Sequence, residues 1–147
     1  MHVWARRGAL AIQVALKGCV VACGATHSRG MHDFQRLVVW QRARDLVVAT
    51  ERVARSFPRV DRGVISSQLR RSAVSIPANI AEGCGKSSRK ETLRFLQIAA
   101  GSAKETQNHV LIACELGYIS DDVREDLLER LDAVQRMLNR LMKNFPG

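Results

Sequence analysis

Apolar residues recur at three- and four-residue steps through four successive stretches of the chain, the spacing that gathers them on one side of an α-helix. In the first stretch, which opens at Phe34, Leu37, Trp40, Ala43, Val47, Thr50 and Ala54 form the stripe, with Arg36, Arg42, Arg44, Arg52 and Arg55 mostly beside or opposite it. Pro58 stops this helix. The second begins near Arg62-Gly63-Val64, turns Ile65, Leu69, Ala73, Ile76 and Ile80 inward, and ends at Gly83 and Gly85. Pro77 falls inside that pattern, where it removes a backbone donor and crowds the preceding turn, so a kink or local break is predicted over 75–78. Ser88-Arg89-Lys90-Glu91 is a capping box that starts the third helix. Its narrow face of Leu96, Ala99, Ala103, Thr106, Val110 and Ala113 lets a neighbouring helix come close, and Gly117 supplies a C-terminal cap. Ser120 and the carboxylates of Asp121 and Asp122 open the fourth helix, whose Leu127, Leu131, Val134, Leu138, Leu141 and Phe145 alternate steps of four and three.

Four such helices, each about 30 to 45 Å long at 1.5 Å per residue and joined by short connections, predict an all-α fold closed as an antiparallel up-down-up-down four-helix bundle. Leu128, Met137 and Met142 lie off the main seam of the fourth helix, more apolar surface than one seam consumes, which points to subunit contacts. The chain has 147 residues, 46% of hydrophobic type, enough to close one core, and only 5% aromatic residues, which argues against a sandwich of strands.

Residues 31–147 are expected to form the domain and residues 1–30 an extension outside it. The extension carries Arg6, Arg7, Lys17 and Arg29 and no acid. Its apolar runs are too short on either side of Lys17 to span a membrane. Val20-Val21-Ala22-Cys23 resembles a lipoprotein cleavage box, but the lysine weakens an export reading. Cys19, Cys23 and His27 recur at four-residue steps, yet lack the tighter pairing and acidic partners usual around zinc, so no metal is expected. Cys19, Cys23, Cys84 and Cys114 contain no Cys-x-x-Cys pair, consistent with reduced thiols in a cytoplasmic protein.

Charge changes the picture most. Lys and Arg number 23 against 14 Asp and Glu, a net charge of +9 that attracts polyanions. It is unevenly placed: residues 1–30 carry +4, residues 31–104 carry +8 and residues 105–147 carry −3. Arg42, Arg44, Arg52, Arg55, Arg59, Arg62 and Arg70 belong to two adjacent helices, and Lys86, Arg89 and Lys90 surround the start of the third, where free amides already favour an anion. Contacts of this kind neutralise phosphates and release counterions. The competing reading, in which these residues solubilise the helices and pair with Asp45 and Glu51, carries equal weight. Few aromatics remain for base stacking, so any nucleic-acid contact, to RNA or DNA, is expected to tolerate sequence.

Catalysis finds no support. Gly85-Lys86-Ser87 fails as a phosphate-binding loop because Ile80 stands where the motif needs glycine and a helix precedes it instead of a strand. His109 has no nucleophile placed by motif, and Cys84 has no adjacent base. No cofactor is expected. Arg71, Ser75, Asn79 and Glu82 share one face of the second helix, and Ser102 and Glu105 one face of the third, so a structural polar network around Pro77 is predicted.

Several motifs together carry a resemblance: Trp40-Gln41-x-Ala43, Phe57-Pro58, Gln68-Leu69-Arg70-Arg71, the run Ser75-Ile76-Pro77-Ala78-Asn79-Ile80-Ala81-Glu82-Gly83, Ala99-x-Gly101-Ser102 with Glu105, and Leu116-Gly117-Tyr118-Ile119. Over residues 33–143 the chain resembles the bacterial four-helix-bundle proteins first noticed in intervening sequences of 23S ribosomal RNA genes. The resemblance implies a homopentameric ring without established enzymatic activity. A related branch, the accessory variability determinant of diversity-generating retroelements, is a basic pentamer that binds nucleic acid and works with a reverse transcriptase. The function expected is therefore a non-catalytic oligomer that binds nucleic-acid backbone, with a scaffold that docks a protein partner such as a polymerase as the alternative.

Overall fold

A computed structural model describes residues 33–58 and 63–144. Among them, a 3-10 turn (Phe34–Arg36) precedes four helices: α1 (Val38–Arg55), α2 (Ile65–Cys84), α3 (Arg89–Glu115) and α4 (Asp121–Lys143). No strand occurs among the described residues. Each helix packs on two others, α1 on α2 and α4, and α3 on α2 and α4, so the four close a bundle around one core. The extension 1–30, with its cysteines and His27, lies outside the described residues, as do His32, Arg59, Arg62 and Phe145.

The first helix departs from its predicted course. Asp33 accepts from the amide of Gln35 and holds the short turn, Leu37 is extended, and the α-helix begins only at Val38. That break resets the register: Val39, Ala43, Leu46, Thr50 and Ala54 are buried, whereas Leu37, Trp40 and Val47 are half-buried at the edge. Phe34 closes over Trp40 edge to face, with ring centroids 5.1 Å apart. The second helix also differs. It starts at Ile65 and runs unbroken through Pro77 to Cys84, in place of the local break predicted near that proline. Ile76 and Ile80, fully buried on either side of Pro77, anchor both halves to the core. The carboxamide of Asn79 meanwhile donates to the carbonyl of Ser75, at 2.7 Å.

The other boundaries follow their caps. Ser88 accepts from the amide of Glu91 at 3.2 Å, but its own hydroxyl donates to the Glu91 carboxylate at 3.0 Å, so the return leg of the capping box runs side chain to side chain. Gly117 takes φ +71° after α3, a conformation that costs glycine nothing. Ser120 accepts from the amide of Val123 to open α4.

The predicted face of α3 (Leu96, Ala99, Ala103, Thr106, Val110, Ala113) is buried, as are Leu127, Leu131, Val134 and Leu138 of α4, while Leu141, next on the same seam, is half-buried. Phe57, after α1, and Tyr118, after α3, pack with centroids 5.3 Å apart, so the α1–α2 and α3–α4 connections meet at one end of the bundle. Phe57 is fully buried there. Phe57→Ala is expected to cost about 3–5 kcal/mol in chemical denaturation; a loss below about 1 kcal/mol would show that this end contributes little to the core.

Candidate nucleic-acid interface

Because α1 buries the side that carries Ala43, Leu46, Thr50 and Ala54, it presents Arg42, Arg44, Arg52 and Arg55 to solvent. Proximity then sorts them. Arg44 donates to the Asp45 carboxylate at 2.8 Å, and its guanidinium lies 5.7 Å from the centre of the Trp40 ring. Glu51 accepts from Arg55 Nε at 2.9 Å, and its other oxygen stands 2.8 Å from Arg70 Nε on α2. The Arg70 Nε–H is not aimed along that contact, so Arg70 acts on Glu51 chiefly as a charge. The hydrogen bond from Arg55, helped by the charges of Arg70 and Arg55, holds the Glu51 carboxyl below its ordinary value of 4.5, against the opposing effect of burial. Arg42 and Arg52 are exposed and form no ion pair among the described residues.

At the start of α3, Lys86 is half-buried. Its ammonium lies 3.2 Å from Glu82 and 4.7 Å from the centre of the Phe95 ring. Arg89 and Lys90 are exposed on the first turn. The predicted interface is thus divided: Arg44, Arg55, Arg70 and Lys86 hold acids of the chain itself, while Arg42, Arg52 and Lys90 are exposed without an ion pair among the described residues. Sequence reasoning passed over Arg94, Arg140 and Lys143, which are also exposed. No pattern along the chain singles them out.

The polar network is smaller than predicted and differently composed. Ser102 donates to Ser75 Oγ at 2.9 Å, and Asn79 Nδ2 donates to the same oxygen at 2.9 Å. Ser72 and Thr106 join it, with hydroxyls 3.0 Å apart and Thr106 also 2.8 Å from the carbonyl of Ser102. Arg71, Glu82 and Glu105 stay outside: all three are exposed, and the two acids lie beside Lys86 and His109. Short hydroxyls bridge two closely packed helices where an arginine would not fit. Thr106 was missed because it reads as a small residue on the apolar face of α3, and Ser72 because it falls beside the predicted stripe of α2.

His109 has both ring nitrogens buried without a hydrogen-bond partner, its side chain 14% exposed and Nε2 3.7 Å from Glu105. Cys114 lies 3.6 Å from Asp121 and 3.7 Å from Arg124, and Arg124 in turn pairs with Asp121. Among the described residues no group of three or more His, Cys, Asp or Glu side chains is arranged to hold a metal. No helix among them is long and apolar enough to cross a membrane.

The model of the 23S rRNA-intervening sequence protein family matches residues 35–140, which include every arginine and lysine of the predicted interface. The chain belongs to that family. A crystal structure of a protein of unknown function, from the S23 ribosomal protein family of Bacteroides thetaiotaomicron, is similar to it. The two share 26% identity and a TM-score of 0.66, over 72% of this chain and 99% of the other. No curated protein matches. The match to the 23S rRNA-intervening sequence family spans all four helices, from the turn before α1 almost to the end of α4.

The bridge from Glu51 to Arg55 and Arg70 ties α1 to α2, and its pH dependence has a definite sign. A carboxyl whose pKa is lowered by folding adds stability above its unfolded value, and that stability disappears as pH falls through the folded one. Glu51→Gln is therefore expected to lower the melting temperature at neutral pH, with the difference from wild type closing below pH 4.5. A difference that persists unchanged in acid would show that the bridge carries no charge effect.

Proposed function

We propose that the protein is a non-catalytic, cytoplasmic, antiparallel four-helix bundle that assembles into a homopentamer and binds nucleic-acid backbone through its basic surface without reading sequence. One observation carries this reading. Asp45 and Glu51 engage Arg44, Arg55 and Arg70, yet Arg42, Arg52 and Lys90 remain exposed with no ion pair among the described residues, in a chain of net charge +9. Exposed cations left over after internal pairing suit phosphate contact. The aromatic side chains among the described residues support sequence tolerance: Phe57 is buried, and Phe34, Trp40, Phe95 and Tyr118 are half-buried, so they offer little open ring surface for stacking.

One feature supports the antiparallel bundle and another the assembly of copies. Ser72 meets Thr106 and Ser75 meets Ser102, so numbers rise along α2 as they fall along α3, the antiparallel sense. On the outer sides of the same helices, Val74 is 51% and Ile98 40% exposed, and nothing lies within 4 Å of the place a Cβ would take at exposed Gly101. A mid-helix glycine costs about 1 kcal/mol relative to alanine, a cost that close approach of a second copy would offset. The number of subunits, and the kinship with the retroelement determinant, rest on the resemblance.

Fluorescence anisotropy with labelled mixed-sequence RNA and DNA duplexes, titrated across salt, tests the binding, and light scattering on the same samples tests the assembly. The expected result is an oligomer whose affinity falls steeply and linearly on a log–log salt plot, with little change between sequences. Ile98→Arg is expected to lower the mass of that oligomer. Absence of binding to either duplex at low salt would overturn the nucleic-acid reading.

A further inference from the structure

Arg36, Lys90, Arg94, Arg140 and Lys143 are scattered over the chain, but the packing of the helices brings them to one end of the bundle. Between α1 and α2, Glu51 meets Arg70 and Ser66 meets the carbonyl of Ala54 at 3.3 Å, so the start of α1 lies alongside the last turns of α2. The 3-10 turn that carries Arg36 packs on α2 as well. Between α2 and α3, a Cβ at Gly83 would stand 3.2 Å from Phe95 Cβ, so the same corner receives the opening turns of α3, with Lys90 and Arg94. Between α3 and α4, Cys114 approaches Asp121 at the opposite end. The helix α4 then runs back about 35 Å and delivers Arg140 and Lys143 beside the opening of α3.

All five side chains are exposed, and none forms an ion pair among the described residues. The acids at this end are already engaged. Asp33 caps the 3-10 turn, Glu82 holds Lys86, and Glu91 closes the capping box with Ser88. The other end carries Glu115, Asp121, Asp122 and Glu125 around the α3–α4 connection, with Arg124 beside them and Arg52 and Arg55 in the last turn of α1.

Helix electrostatics explain only part of this. Arg140 and Lys143 stand in the last turn of α4, where cations oppose the helix dipole favourably. Lys90 stands in the first turn of α3, where the dipole disfavours a cation. A positive charge kept against its own helix points to an anion from outside the chain.

We propose that this end of the bundle, with Arg36, Lys90, Arg94, Arg140 and Lys143, is the principal seat of a nucleic-acid phosphate backbone, in preference to the arginines along the side of α1. The proposal rests on the nucleic-acid reading above and locates its contact. Two double variants of the full chain test it, Lys90→Glu with Lys143→Glu at the end and Arg52→Glu with Arg71→Glu on the sides of α1 and α2, away from that end. Each removes the same charge from the chain, so a general effect of net charge is common to both.

Binding is read with the RNA duplex and the DNA duplex in separate arms, and thermal melts check that each variant folds. The end variant is expected to lose at least about tenfold in affinity with either duplex that wild type binds, and its salt slope to fall by about 0.9 per lost phosphate contact on a duplex. The side variant is expected to lose less than about threefold. Should Lys143→Glu unfold α4, Lys90→Gln with Lys143→Gln replaces it, with about half the loss expected on a logarithmic scale. Equal losses in the two variants, or a larger one on the side, would overturn the end-on seat while the nucleic-acid reading stands. Failure of wild type to bind either duplex would overturn both.

Discussion

The close contact between α2 and α3 governs the rest of the molecule. Its middle is built from Ser72, Ser75, Ser102 and Thr106, whose hydroxyls bond across the interface and to the carbonyls of Leu69 and Ser102, and a Cβ at Gly83 would meet Phe95 Cβ at 3.2 Å. Short side chains let helix backbones approach, and each of these four hydroxyls has a partner, so they cost little in the interface. Larger groups are turned out. Arg71, Glu82 and Glu105 therefore remain in solvent, and the bulky apolar residues Leu46, Leu96, Leu127 and Leu138 fill the remaining core.

The same contact accounts for the tolerance of Pro77. A proline inside a helix leaves the carbonyl four residues earlier, here that of Ala73, without its usual donor and crowds that turn. Ala73 offers the smallest side chain with a Cβ at that point, and Ile76 and Ile80 are fixed in the core on both sides. Asn79 and Ser102 meanwhile converge on Ser75, so the turn beside the proline is tied both along α2 and across to α3. Tertiary packing, more than local propensity, keeps α2 continuous.

Periodicity made most of the core legible. The inward faces of α2, α3 and α4 follow from apolar spacing because those helices start at strong caps or run long enough for their phase to be plain. Phase failed in α1, where an extended Leu37 separates a 3-10 turn from the helix and replaces Trp40 and Val47 with Val39 and Leu46 in the deepest positions. Nothing in the spacing of Phe34 to Trp40 marks that break. The arginines were legible as a charge pattern, but their pairing was not: Arg55 meets an acid one turn before it on its own helix, whereas Arg70 reaches the same acid from another. The serine and threonine bridge was half legible, since Ser75, Asn79 and Ser102 lie on predicted polar faces, while Thr106 reads as a small core residue and Ser72 falls outside the predicted stripe of α2.

Pairing changes what a net charge means. A count of +9 says that polyanions will be attracted, and nothing about where they settle. Once Glu51 draws in Arg55 and Arg70, and Asp45 draws in Arg44, the side of α1 keeps only Arg42 and Arg52 outside ion pairs with the described acids. At the end that joins the opening of α1, the opening of α3 and the close of α4, the three acids serve as caps or hold Lys86, and they leave five exposed cations without an acid of their own. At both places the acids of this chain are spent on helix starts or on cations beside them. The exposed cations left at that end come from the turn before α1, from α3 and from α4, a gathering made by topology that no single segment of the sequence contains.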